Sequence, residues 1–223
     1  MKKGSLFQRL AAAPHILWAI MFIVFPMIFV LFFAFTDADG NFSFSNITSL
    51  SQYGHVFVLS IAFALIATVV CLIIGYPLAY FMSKQSPRAQ KILMVLVMLP
   101  MWCNLLIRTY ALMALLDNGG LLNSLLVSLG LEKLSIVGTN FGVILGMIYD
   151  FLPYMVLPIY TSLSKIDRGV IEASHDLGAG GFTTFRRVIF PLSIPGVISG
   201  ITMVFMPAVT TFAISRLLGS GNF

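Results

Sequence analysis

The sequence predicts an all-α, polytopic integral membrane protein, and two observations carry this prediction. Of the 223 residues, 59% are hydrophobic and only 9% are charged, whereas about 25% of residues are charged in soluble domains. The 13 Lys or Arg and 8 Asp or Glu side chains are too few to cover a soluble body of this size. The apolar residues fall into five runs, each long enough to cross a bilayer core as a helix.

The first two runs cover residues 14–36 and 56–83. A basic N-terminus, residues 1–13, precedes the first run, which is longer than the core of about 7 to 15 residues in a signal peptide. We therefore expect an uncleaved span. Pro77 near the end of the second run is expected to kink or unwind that helix near one face of the membrane.

The third run begins at residue 92 and contains Pro100, so two alternatives stay open. The helix either crosses over residues 92–107 or continues along the outer surface as 92–116. After it, leucines at helical spacing over residues 121–129 predict a short amphipathic helix that lies on the membrane or on neighbouring helices.

The last two runs cover residues 141–163 and 192–215. The fifth contains two prolines and the pair Gly196 and Gly200, whose spacing predicts close packing against another helix. Residues 216–223 follow as a short end of the chain.

The basic residues predict the orientation. Ten of the 13 Lys and Arg lie in the N-terminus, between the second and third runs, and between the fourth and fifth runs. Because short cytoplasmic loops are enriched in Lys and Arg, these regions should be cytoplasmic. The N-terminus is then inside and residues 216–223 outside. Since the basic residues are not gathered on one face, nucleic-acid binding is not expected.

Signatures of catalysis and cofactor binding are missing from the sequence. No phosphate-binding loop with Gly-Lys-Ser/Thr is present, and the three histidines are far apart without Cys or carboxylate partners at ligand spacing. We therefore expect no enzyme active site, cofactor site or metal site on this chain.

The connection over residues 164–191 is the most informative stretch, and its pattern predicts two short helices. Asp167 is a candidate N-cap for the first, which Gly178 or Gly180 would close. Thr183 or Thr184 would start the second, and Pro191 would stop it. The exposed apolar side chains of these two helices are expected to be buried against another surface, either a partner protein or the chain's own transmembrane helices.

A family signature lies in this connection. Glu172-Ala173-Ser174, three residues, Gly178, nine residues and Val188-Ile189-Phe190-Pro191 resemble the EAA motif, Glu-Ala-Ala-x3-Gly-x9-Ile-x-Leu-Pro, of ABC importer permeases. Three positions depart mildly from it: Ser174, Val188 and Phe190.

The resemblance implies a MetI-like permease fold, in which the family has six helices where five are predicted here. The chain would then be truncated before a sixth helix. It also implies that Glu172, Ala173, Ser174, Gly178 and Pro191 couple the chain to a cytoplasmic ATPase, which would hold ATP and Mg²⁺.

Three further segments, residues 75–80, 99–112 and 154–160, resemble spermidine/putrescine permeases of the PotB type. This resemblance implies the inner or plasma membrane of a prokaryote and a polyamine substrate. The implied partners are a PotC-like second permease, a PotA-like ATPase dimer and an external PotD-like binding protein.

A path for a polycation should offer carboxylates and aromatic faces. Asp150 is the one acidic residue that falls well inside a predicted span, and Tyr149 and Trp102 are nearby aromatic candidates. Alternatively, Asp150 pairs with Arg108 or with a residue of the partner permease.

Three other functions stay open. A permease for another small solute would keep the same architecture. A secondary transporter or channel would use Asp150 as a proton or ion site. A non-transporting membrane subunit would need no transport path and no ion site. The secondary transporter or channel leaves the motif from Glu172 to Pro191 unexplained.

Overall fold

A computed structural model describes residues 6–37, 40–49 and 54–219. These residues are almost entirely helical, which confirms the all-α prediction. The α-helices in this part of the chain are α1 (Leu6–Ala19), α2 (Phe25–Ala34), α3 (Ser45–Ser49), α4 (Gly54–Lys84), α5 (Pro87–Met98), α6 (Leu105–Leu116), α7 (Leu121–Ser128), α8 (Asn140–Ser164), α9 (Arg168–Asp176), α10 (Gly181–Thr184), α11 (Phe190–Thr210) and α12 (Phe212–Leu218). The first part of the basic N-terminus and the predicted external end beyond residue 219 lie outside the described residues.

Five helical segments of the described chain are long and apolar enough to cross a membrane, as the sequence predicts. They are Ala13–Ala34, Gly54–Lys84, Leu105–Ser128, Asn140–Ser164 and Gly181–Thr210. Pro77 does not break the second segment, because α4 is helical from Gly54 to Lys84.

The chain divides into two compact units, residues 1–57 and 58–223. In the first unit, the apolar side chains of Ala13–Ala34 are exposed and none is buried. Aromatic rings follow one another along this segment, with Phe25 and Phe29 in edge-to-face contact at 4.7 Å between centroids. An all-round apolar helix of this kind is suited to contact with lipid or another membrane subunit.

The second unit is built around α8. Its side chains Met147, Met155, Val156 and Ile159 are fully buried or nearly so. Glycines of α11 allow that helix to approach closely: a Cβ added at Gly196 would lie 2.7 Å from the Pro158 carbonyl oxygen of α8. This close approach agrees with the packing that the glycine spacing predicts.

Two π-helical turns, Ile20–Val24 and Phe185–Ile189, each directly precede a Phe-Pro pair. Proline has no N–H to donate, so the normal i to i−4 hydrogen bond cannot form at that position. The helix instead shifts to a wider turn, in which the Phe190 N–H donates to the Phe185 carbonyl oxygen. The expectation that Pro191 stops a helix is therefore wrong, since the chain stays helical from Gly181 through Pro191 to Thr210.

The third of the five apolar segments, Leu105–Ser128, begins with α6 and lies later in the chain than the predicted third span over residues 92–107 or 92–116. Helix α5 precedes it and is joined to α6 by a 3₁₀ turn at Leu99–Trp102. Both helices contact α8. Tyr160 donates to Gln90 Oε1 near the start of α5 at 3.1 Å, and Arg108 of α6 contacts Asp150, which lies about 15 Å earlier along α8 at 1.5 Å per residue. The pair of helices thus runs along α8 and ends at Leu116, with the break in the middle.

Candidate functional site

The segment over residues 164–191 contains α9 and α10, as two short helices between α8 and α11. Asp167 starts α9 because its Oδ1 accepts a hydrogen bond from the Gly169 N–H at 3.0 Å. This N-cap agrees with the sequence prediction.

Gly178 ends α9. Its φ of +79° lies in the left-handed region that glycine adopts without strain. The Gly178 N–H donates to the His175 carbonyl at 2.8 Å and the Ala179 N–H to the Ser174 carbonyl at 3.0 Å, which is the hydrogen-bond pair of a Schellman motif. Of the two glycines that the sequence offers, Gly178 closes α9 and Gly180 becomes the N-cap of α10.

Ser174 connects α9 to α10. Its buried Oγ donates to the Ile171 carbonyl at 2.7 Å and lies 2.9 Å from the Thr184 Oγ, from which it can accept. Alanine, which the motif has at this position, could make neither bond. The prediction that Thr183 or Thr184 starts the second helix is wrong, because α10 begins at Gly181 and Thr184 is its last residue.

Aromatic contacts hold this segment on α4. The half-buried Phe185 ring meets Tyr80 and Tyr76 edge-on, with centroids 5.5 and 6.0 Å apart. The Tyr76 hydroxyl lies 2.9 Å from the Ser193 Oγ of α11. Phe185, directly after α10, is therefore in contact with α4, which in turn contacts α11.

The outer side of the segment is exposed and partly apolar. Leu177 is 89% exposed and Phe182 is 78% exposed. Glu172 and Ala173 are exposed as well, and Glu172 has no hydrogen-bond or ion-pair partner among the described residues. Exposed apolar side chains of this size are suited to docking with another protein.

A cavity of about 490 Å³ lies behind α9. Lys84 of α4, Gln90 of α5, Arg168 and Glu172 of α9 contribute to its lining. The α4–α5 connection and the segment over residues 164–191 therefore lie at the same end of the helices. This placement agrees with the basic residues of both regions facing one side of the membrane.

The predicted path residues fall into two environments. Asp150 is fully buried, with Oδ1 2.9 Å from Arg108 Nε and Oδ2 accepting from the Thr109 Oγ at 2.9 Å. The Nε–H is not aligned on Oδ1, so that contact is an ion pair and not a directed hydrogen bond. Tyr149 and Trp102 are 42% and 73% exposed.

Between α8 and α11 lies an open groove of about 730 Å³. Its lining includes Met101 of the turn at Leu99–Trp102, Tyr154 and Pro158 of α8, and Met203 of α11. The turn that carries Trp102 thus borders this groove. The contact of Asp150 with Thr109 was not predicted, because the sequence shows that Thr109 follows Arg108 but not which helix it faces.

Comparison with known proteins gives consistent matches. A sequence model of the family described as binding-protein-dependent transport system inner membrane component matches residues 72–223. The chain is 40% identical to the spermidine/putrescine transport system permease protein PotB of Haemophilus influenzae, over 97% of this chain and 79% of that protein. It is 38% identical to PotB of Escherichia coli, over 92% of this chain and 78% of that protein.

Among solved structures, the fold is similar to the crystal structure of a bacterial ABC transporter involved in the import of the acidic polysaccharide alginate. The TM-score is 0.73, the identity is 19%, and the match covers 96% of this chain and 78% of that one. At this identity the likeness concerns the fold alone. Together with the family match, it confirms the resemblance to ABC importer permeases that the motif indicates.

Proposed function

Because the chain belongs to the family of binding-protein-dependent transport system inner membrane components, we propose that it forms half of the translocation path of a polyamine importer. It is a multi-pass permease of an ABC importer. The observation that carries the polyamine assignment is the identity of 38–40% with two PotB proteins over more than nine-tenths of this chain. Spermidine and putrescine are the proposed substrates.

The proposed assembly has four further components. A PotC-like permease completes the path, two PotA-like ATPase subunits bind the cytoplasmic side, and a PotD-like protein delivers the polyamine from outside. ATP and Mg²⁺ are held by the ATPase. The N-terminus of this chain lies in the cytoplasm of a prokaryotic cell, which the distribution of Lys and Arg supports.

Coupling to the ATPase is assigned to Glu172, Ala173, Ser174, Gly178 and Pro191. Three features support this assignment: the exposed face beside Glu172, the hydroxyl pair that joins Ser174 to Thr184, and the unbroken helix from Gly181 to Thr210. When the ATPase closes on ATP, movement of α9 is transmitted through α10 into α11. Since α11 packs tightly on α8 at Gly196, both spans move and access alternates between the two faces.

Within the path, Trp102 and Tyr149 offer exposed aromatic faces for a polycation. Both oxygens of Asp150 are occupied by Arg108 and Thr109. This geometry supports the alternative in which Asp150 pairs within the protein and contacts no substrate.

Uptake by the reconstituted transporter tests the proposed function. With the partner permease, ATPase and binding protein present in proteoliposomes, labelled spermidine should enter only when ATP is supplied on the ATPase side. A protonophore should leave the rate unchanged. Uptake driven by a proton gradient without ATP would instead identify a secondary transporter. ATP-driven uptake of an unrelated solute that spermidine does not inhibit would identify another substrate.

Trp102→Ala should slow the uptake of spermidine at a concentration well below saturation. An ammonium group over a Trp face is worth about 0.5–2 kcal/mol, so the rate should fall by about two- to thirtyfold. Trp18→Ala removes the other tryptophan, which is exposed in the N-terminal unit, and serves as the control. Equal rates in the Trp102 variant and the native chain would remove Trp102 from the path.

A further inference from the structure

The strongest unexplained feature is the buried charge pair between α6 and α8. Asp150, near the middle of α8, is 0% exposed, and Arg108, in the first turn of α6, is 6% exposed. Buried ion pairs contribute little net stability, because the loss of hydration offsets the attraction of the charges. Charged side chains at this depth are costly and usually serve a function, so what the pair connects is informative.

The Arg108 side chain connects three parts of the fold. It belongs to α6, its Nε lies 2.9 Å from Asp150 of α8, and its Nη1 donates to the Pro100 carbonyl at 3.1 Å. Pro100 lies in the turn at Leu99–Trp102, where the helix breaks and the Pro100 carbonyl accepts from the Cys103 N–H. Arg108 adds a second donor to this carbonyl and ties the turn to α8.

We propose that Arg108 is a positioning residue: anchored by Asp150, it holds the turn at Leu99–Trp102 against α8 and so places Trp102 on the translocation path. Trp102 itself is 73% exposed, so burial of its ring does not fix its position. The location of the ring depends on the turn, whose Pro100 carbonyl accepts from Arg108 and from the Cys103 N–H at 3.1 Å. The consequence for transport rests on the proposed function, whereas the attachment of the turn does not.

We call the two contacts of Arg108, with Asp150 and with the Pro100 carbonyl, the clamp, and only arginine can make both. One planar guanidinium holds Nε in an ion pair with the Asp150 carboxylate while Nη1 donates to the Pro100 carbonyl. Lysine has a single nitrogen and cannot occupy both positions. Thr109 acts on the other Asp150 oxygen and makes no contact with the turn, which separates its role from that of Arg108.

The chain contains its own reporter for this turn. Cys103 follows Trp102 and is exposed, whereas Cys71 in α4 is buried. The labelling rate of Cys103 by a water-soluble maleimide, read by peptide mass spectrometry on the assembled transporter in membranes, measures how firmly the turn is held. Cys71 in the same sample reports unfolding.

Two variants release the turn without leaving one buried charge alone: the double variant Arg108→Gln with Asp150→Asn, and Arg108→Lys. In both, Cys103 should be labelled at least threefold faster, Cys71 should stay unlabelled, and spermidine uptake should fall by about tenfold or more. Thr109→Val is the matched control, because it removes a buried hydrogen bond to Asp150 but leaves Arg108 on Pro100. Its Cys103 labelling rate should equal that of the native chain even if its thermal stability is lower.

The clamp is refuted if Cys103 in both Arg108 variants is labelled less than twofold faster than in the native chain. It is also refuted if Cys103 is labelled in none of the samples. Faster labelling with native uptake would overturn its role in placing Trp102. If the native transporter carries no polyamine, the proposed function fails, and the labelling ratio still decides whether Arg108 holds the turn.

Discussion

Replacing Glu172 with alanine is expected to reduce ATP-driven spermidine uptake by about thirtyfold or more, with the permease still folded. Removing one partner of a buried, hydrogen-bonded charge pair at an interface costs about 2–5 kcal/mol, and 2 kcal/mol corresponds to about thirtyfold. Glu172 is exposed and has no internal partner among the described residues. Its loss should therefore leave the thermal unfolding midpoint unchanged and act only on the complex with the ATPase.

Two measurements on reconstituted transporter test this expectation: spermidine uptake and the stimulation of ATP hydrolysis by the loaded binding protein. Both should fall together in Glu172→Ala. Glu172→Gln keeps the size of the side chain and removes its charge, so it shows whether pairing with a basic residue matters. Glu132→Ala removes an exposed carboxylate from a connection elsewhere in the chain and should behave as the native protein. Normal uptake together with normal ATPase stimulation in Glu172→Ala would refute the coupling role.

The apolar helices and the local turns of the segment over residues 164–191 could be predicted from sequence because they depend on local patterns. Apolar runs of sufficient length have no stable alternative to helices in a bilayer, so five crossing segments were foreseeable. The N-cap at Asp167 and the turn at Gly178 depend on single residues with strong local preferences. These elements would form in much the same way whatever lies around them.

Features that depend on tertiary contacts were not predictable in this way. Pro191 reads as a helix stop, but a π-helical turn carries the helix past it while Phe185 packs on Tyr76 and Tyr80. The pairing of Arg108 with Asp150 was one of three alternatives, because the rotation of each helix about its axis is set by its neighbours. The bond from Arg108 to the Pro100 carbonyl requires the three-dimensional course of the turn.

Gly178→Ala is expected to lower uptake by about five- to thirtyfold through the backbone alone. A residue with a Cβ in the left-handed region costs about 1–2 kcal/mol, and a Cβ at Gly178 would meet no atom within 4 Å. The penalty therefore opposes only the conformation in which α9 ends in the Schellman motif. If this conformation is the one that docks on the ATPase, its population and the uptake rate fall by the same factor.

Gly130 provides a matched control, because it ends α7 in the same way. Its φ is +76°, and a Cβ there would also meet no atom within 4 Å. The Gly130 N–H donates to the Val127 carbonyl and the Leu131 N–H to the Leu126 carbonyl, which is again a Schellman pair. Gly130→Ala should therefore lower the thermal unfolding midpoint as much as Gly178→Ala does, while uptake stays close to native. Equal losses of uptake in the two variants would mean that Gly178 acts through folding and has no part in coupling.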